Sequence, residues 1–74
     1  MHTLEAVKAG CTVRVIRISG KSEIQRRITD MGITPGVTVK VCRTAPLGDP
    51  IEIEVRGYKL SIRKSEAAMI SVIE

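Results

Sequence analysis

The sequence predicts a mainly β fold: a small, partly open barrel of five or so short strands, with one α-helix inserted between the first and second. Three observations point there. Short segments of period-two apolar alternation are separated by glycine and proline turns. The apolar residues are largely β-branched, and Tyr58 is the single aromatic. The one stretch with helical periodicity falls between the first two alternating segments. Strands this short cannot bury their apolar faces as one flat sheet, so they curl around a shared core capped by the helix. The 74 residues suffice for one domain, 1–74, and not for two.

Thr3 to Val7 reads as a short helical turn capped by Thr3 and ended by Gly10. Thr12 to Ile18 is a strand whose alternation slips: Val13 and Val15 share one face, then Ile16 and Ile18 are apolar around Arg17. Such a slip signals a bulge or sharp bend, which a closing barrel needs. Ser22 to Met31 is the convincing helix. Ile24, Ile28 and Met31 lie on one face and mark Met31 as core, and Ser22 with Gln25 has the spacing of a capping box. Glu23–Arg27 and Arg26–Asp30 are spaced as i,i+4 pairs. Gly32 is placed for the left-handed residue beyond the helix end, and Pro35 follows soon after.

Val37 to Arg43 alternates most cleanly. Thr44 to Pro50 is a loop with two prolines and Gly48-Asp49. Ile51, Ile53 and Val55 alternate with Glu52, Glu54 and Arg56. Gly57-Tyr58 suits a type II′ hairpin turn, with Leu60 and Ile62 on the return strand. Ser65 to Met69 is a short helical turn, and Ile70 to Ile73 a last strand.

Hydrophobic residues make up 43% and charged residues 27%, an ordinary globular balance. The net charge of +4 comes from twelve basic residues against eight acidic ones, scattered without a block. That excess suits an acidic protein, an anionic membrane face or a nucleic acid, or is simply a solvated surface. No apolar run approaches the roughly 20 residues of a membrane span. Met1-His2-Thr3-Leu4-Glu5 lacks the basic start and apolar block of a leader, so a cytosolic protein is expected. Cys11 and Cys42 fit a reducing compartment as small buried hydrophobes, although sequence alone leaves a disulfide open.

Catalysis finds little support. There is no G-x-x-x-x-G-K-[ST] phosphate loop. His2, the one histidine, is expected on a frayed terminus, far from a nucleophile's needs. One histidine and two separated cysteines do not make an iron ligand set, and Glu52 with Glu54 reads as a solvated hairpin face. No catalytic residue, metal ligand or cofactor is therefore expected. Barrels that bind single-stranded nucleic acid stack bases on aromatics, and one tyrosine in a turn does not supply that platform. Protein binding asks less. Leu47, at the tip of a loop stiffened by prolines, either meets a partner or folds back on the barrel rim. Arg26 and Arg27 either meet an acidic partner or pair with Glu23 and Asp30. Exposed strand edges offer a further docking mode by strand addition.

Four segments in register resemble the FeoA family. Arg26-Arg27-Ile28-Thr29-Asp30-Met31-Gly32-Ile33-Thr34-Pro35-Gly36 matches its helix-to-turn segment, and Ala45-Pro46-Leu47-Gly48-Asp49-Pro50-Ile51 its "APLGDPI" loop. Gly57-Tyr58-Lys59-Leu60-Ser61-Ile62-Arg63 resembles its hairpin, and Glu66-Ala67-Ala68-Met69-Ile70-Ser71-Val72 its ending. Ile28 and Ser61 stand where Leu and Ala are more usual. The resemblance implies an SH3-like barrel, also found at the C-terminus of metal-dependent repressors of the diphtheria-toxin-repressor type. Without a helix-turn-helix, this chain is not such a repressor by itself; a nucleic-acid-associated or metal-regulator-type module is the alternative reading. The resemblance further implies a cytosolic accessory of bacterial ferrous iron uptake, recruited to the inner face of the membrane by the transporter FeoB, whose guanine-nucleotide-binding domain is the proposed target. Partner contacts are expected at Arg26, Arg27, Leu47 and Asp49, with weak self-association left open. The family carries a label of transition-metal binding, yet on its residues this chain is not expected to hold iron.

Overall fold

The computed structural model describes residues 2–74. Its strands are β1 (His2–Thr3), β2 (Thr12–Ile18), β3 (Thr38–Thr44), β4 (Ile51–Val55), β5 (Tyr58–Ile62) and β6 (Ile70–Ile73), with helices α1 (Ser22–Asp30) and α2 (Lys64–Ala67). All strand pairs are antiparallel, in the order β1-β6-β2-β3-β4-β5. The sheet curls around one core and leaves β1 and β5 as edges, the partly open barrel that the sequence predicts.

The alternation of the sequence becomes the alternation of the barrel wall. Val13 and Val15, Val39 and Val41, Ile51, Ile53 and Val55, Ile62, Ile70 and Val72 are buried inside. Leu4, Ile28, Ile33 and Ala67 complete the same core. Burying a Val or Ile side chain contributes about 1.5–3 kcal/mol, so this aliphatic interior is what holds the small domain together. The slip read at Ile16 is a bulge: Val15 pairs with Val72 and Arg17 with Ser71, leaving Ile16 as the extra residue. A second bulge leaves Cys42 extra, between the pairs Val41–Ile53 and Arg43–Glu52.

Helix α1 ends as the sequence requires. Gly32 has φ +92°, its N–H donates to Thr29 O at 2.9 Å, and the Ile33 N–H donates to Ile28 O at 3.3 Å. This is a Schellman closure, and its accompanying hydrophobic contact joins Ile28 and Ile33, both wholly buried. Met31 packs against the core from a half-buried position.

Several local expectations are corrected. There are six strands, because His2–Thr3 adds an edge to β6, with His2 opposite Val72. His2 is thus part of the sheet through its backbone. Thr3 precedes a 3₁₀ turn, Leu4–Ala6, without a side-chain capping bond. The cap of α1 is Lys21, not Ser22: the Gln25 side chain turns back to donate to Gly20 O at 2.7 Å and takes no part in a capping box. The second helix begins at Lys64, one residue before the predicted turn. Cys11 is exposed, and both cysteines are free thiols. Cys11 shares the inward parity of Val13 and Val15 but lies before β2 begins, where the barrel no longer covers it.

The β4–β5 turn centres on Arg56-Gly57, with Val55 opposite Tyr58. Both central residues have positive φ, 53° and 84°, which makes the turn type I′ and not the expected II′. Arginine is a poor residue for that first position, where asparagine is favoured. Arg56→Asn is therefore expected to stabilise the domain by about 0.5 kcal/mol. Equilibrium urea unfolding checks this; a lower midpoint than wild type contradicts it.

Candidate functional site

His2, Lys8, Cys11 and Glu74 line a solvent-open hollow of about 290 Å³. Among the described residues, no three His, Cys, Asp or Glu side chains are grouped to hold a metal ion. Nor is any helix among them long and apolar enough to cross a membrane. Glu52 and Glu54 are half-buried on the outer wall of β4, where Glu54 lies between Lys40 and Lys59 in the cross-strand register.

The distinctive surface is the 45–50 loop. Gly48 N–H donates to Ala45 O at 2.7 Å, and Ala45 N–H donates to Pro50 O at 3.1 Å. Ala45-Pro46-Leu47-Gly48 is thus a β-turn, with Pro46 and Gly48 at positions i+1 and i+3, where those residues are favoured. Leu47 takes position i+2 at the tip and is 92% exposed. It does not fold back on the rim. Asp49 anchors the loop: its Oδ1 accepts the Lys64 N–H at 3.0 Å. The Lys64 side chain also runs beside Gly48.

The start of α2 joins this loop to α1. Glu66 is buried down to 11% side-chain exposure and is held from two sides. Its Oε1 accepts the Arg63 N–H at 2.9 Å, satisfying one of the free amides at the helix start, and its Oε2 meets the Arg27 Nε at 3.1 Å. Arg27 therefore pairs across the structure with Glu66 and not along its own helix with Glu23. It is the one ion pair within 4.0 Å among the described residues, so the expected Arg26–Asp30 pair is not formed either. The reason is reach: a carboxylate fixed by a backbone N–H is a better-ordered partner than a freely rotating one on an exposed helix face.

Of the four contact residues expected from the sequence, three converge on α2. Leu47 and Asp49 reach it through the loop, and Arg27 through Glu66. Arg26, about 100° away around α1, stands apart beside Ser22 and Glu23. The joining residues Lys64 and Glu66 were not legible as site residues. The available signal was an acid three residues after Arg63, the spacing by which a side chain returns to a helix start.

Tyr58, 71% exposed, occupies the opposite end of the β4–β5 hairpin from this loop.

Comparisons with known proteins agree with this architecture. Residues 2–74 match the model of the FeoA domain family. A FeoA-like protein from Clostridium acetobutylicum superposes with a TM-score of 0.91 at 44% identity, covering 97% of this chain and 84% of that one. FeoA from Stenotrophomonas maltophilia, crystallised with zinc and described as a prokaryotic SH3 domain protein, superposes with a TM-score of 0.84 at 23% identity. That match covers 99% of this chain and 91% of the other, and it concerns the fold. A Porphyromonas gingivalis protein described as a fusion of Fe(2+) transport protein A and the Fe(2+) transporter FeoB is 33% identical over 69 residues. These are 93% of this chain, which spans only 8% of the fusion protein's length.

Proposed function

Because the chain belongs to the FeoA domain family, we propose that it serves ferrous iron uptake as a cytosolic accessory protein that docks on the cytosolic region of an FeoB-type transporter. The observation that carries this reading is the P. gingivalis fusion, in which a segment like this chain and a ferrous iron transporter share one polypeptide. Covalent linkage keeps two modules at high mutual concentration. Separate chains doing the same work need an interface instead.

The chemistry of the chain suits that role. Its action is binding and not catalysis: docking shifts the transporter between conformations or assembly states by favouring one of them. The guanine-nucleotide-binding domain is the docking target, and Leu47, Asp49 and Arg27, which converge on α2, are the contact residues, with Arg26 lying off that face. Iron passes through the transporter and is not held by this chain.

Calorimetric titration of the full chain into the purified cytosolic region of its FeoB, with and without guanine nucleotide, tests the proposal. Saturable binding with a Kd of about 100 μM or tighter is expected. Absence of binding in every nucleotide state at that concentration contradicts it.

A further inference from the structure

Resting on the docking function just proposed, we infer that the docking face is the surface gathered around the start of α2, with Leu47 as an apolar knob inside a basic rim of Arg43, Arg63 and Lys64. Its partner is an acidic protein surface bearing an apolar notch. Leu47 is the most exposed of the large hydrophobic side chains among the described residues, yet it stands on an ordered turn. Holding an apolar side chain in water on a rigid loop gains the isolated domain nothing. It spares a complex the entropy of ordering that loop.

The charges around Leu47 are unbalanced in a particular way. Two of the acids of this face are tied to the backbone: Asp49 accepts the Lys64 N–H, and Glu66 accepts the Arg63 N–H and the Arg27 guanidinium, while Glu52 lies half-buried opposite Arg43. Arg43, Arg63 and Lys64 are exposed and have no carboxylate within 4.0 Å. Arg43 stands at the base of the loop, with Ala45, Pro50 and Glu52 around the same hollow. Lys64 lies against Gly48, directly beside the tip. Four bases, Arg27, Arg43, Arg63 and Lys64, thus stand against three acids, Asp49, Glu52 and Glu66, and Asp49 and Glu66 are tied to backbone N–H groups, so the rim presents a net positive charge to a partner. Such a rim steers an acidic surface, while the central apolar side chain sets how long it stays.

Tyr58 lies apart from this loop, at the far end of β4, about 14 Å along the strand at roughly 3.4 Å per residue.

The test measures binding and association rates of full-length variants against the purified cytosolic region of FeoB, each variant first checked for wild-type unfolding behaviour. Leu47→Asp is expected to weaken binding by about tenfold or more. The double variant Arg63→Glu/Lys64→Glu is expected to slow association about tenfold at 0.15 M salt, with the difference shrinking at 0.5 M. Both side chains are exposed and both backbone N–H bonds survive the change. Arg14→Glu is the control, opposite Thr38 at the far end of β3, about 20 Å from Thr44 along the strand. It is expected to change affinity less than about threefold. If wild type binds and the first two variants bind as it does, the docking face is misplaced while the docking function stands. If Arg14→Glu weakens binding as much as the double variant, general charge and not this rim is responsible, which also overturns the assignment. If wild type does not bind, both fall together.

Discussion

Ile28→Ala is expected to lower the unfolding free energy by about 3 kcal/mol. Ile28 is the only buried residue of α1. It reaches the barrel core from a helix whose other apolar residues, Ile24 and Met31, are half-buried. It also makes the hydrophobic contact of the Schellman closure with Ile33. Truncation removes the transfer contribution of three carbons and leaves a cavity at the joint between helix and barrel, which a helix pinned at both ends closes poorly. For a domain of this size, a loss of that magnitude lowers the melting temperature by more than about 10 °C. Ile24→Ala, at the half-buried position, is expected to cost about 1 kcal/mol. Equilibrium urea unfolding of the two variants measures both, and equal losses contradict the assignment of Ile28 as the anchor.

Glu66→Ala is expected to cost about 2 kcal/mol, the second largest effect. The greater part does not come from the ion pair, because Arg27 is 67% exposed and water replaces its partner cheaply. It comes from the Arg63 N–H, whose acceptor is lost at a part-buried helix start. Glu66→Gln separates the two contributions. Its side-chain oxygen still accepts the N–H, so the cost should fall to about 1 kcal/mol or less. A Gln variant as unstable as the Ala variant places the stabilisation in the charge and contradicts this division.

The barrel was legible because its apolar positions are spaced for it. Val13 and Val15, Val39 and Val41, and Ile51, Ile53 and Val55 show their facing directly, and β2 and β6 run between the expected residues, while β4 stops at Val55 because Arg56 enters the turn. The bulge at Ile16 was legible because Ile directly follows Val15 and breaks the period. The same signature stands at Val41-Cys42, but a cysteine is apolar enough to fit either face and hid the second bulge. What short-range pattern cannot show is which of several local partners wins. Gln25 had a capping-box spacing and bonded Gly20 O instead. Arg27 had an i,i+4 acid and crossed to Glu66, because Glu66 is fixed by a backbone N–H and Glu23 is not. The β1 edge was missed because two residues carry no readable period.

The candidate site divides in the same way. Leu47 was legible as a loop tip, since Pro46 and Gly48 fit their turn positions. Its exposure was not, because an exposed leucine and one folded onto the rim have the same sequence. Asp49 and Arg27 stand 22 positions apart in the sequence, and nothing in it brings them together. That required α2, whose Lys64 and Glu66 hold the loop on one side and Arg27 on the other.

An NMR titration of the ¹⁵N-labelled full chain with the unlabelled cytosolic region of FeoB addresses the whole account at once. The expected result is a patch of shifted or broadened amides at 45–50, 63–65 and Arg27, with the Arg56-Gly57 turn and the β1–β6 edge unmoved. A patch centred on that turn or edge, or a spectrum that does not change at all, contradicts it.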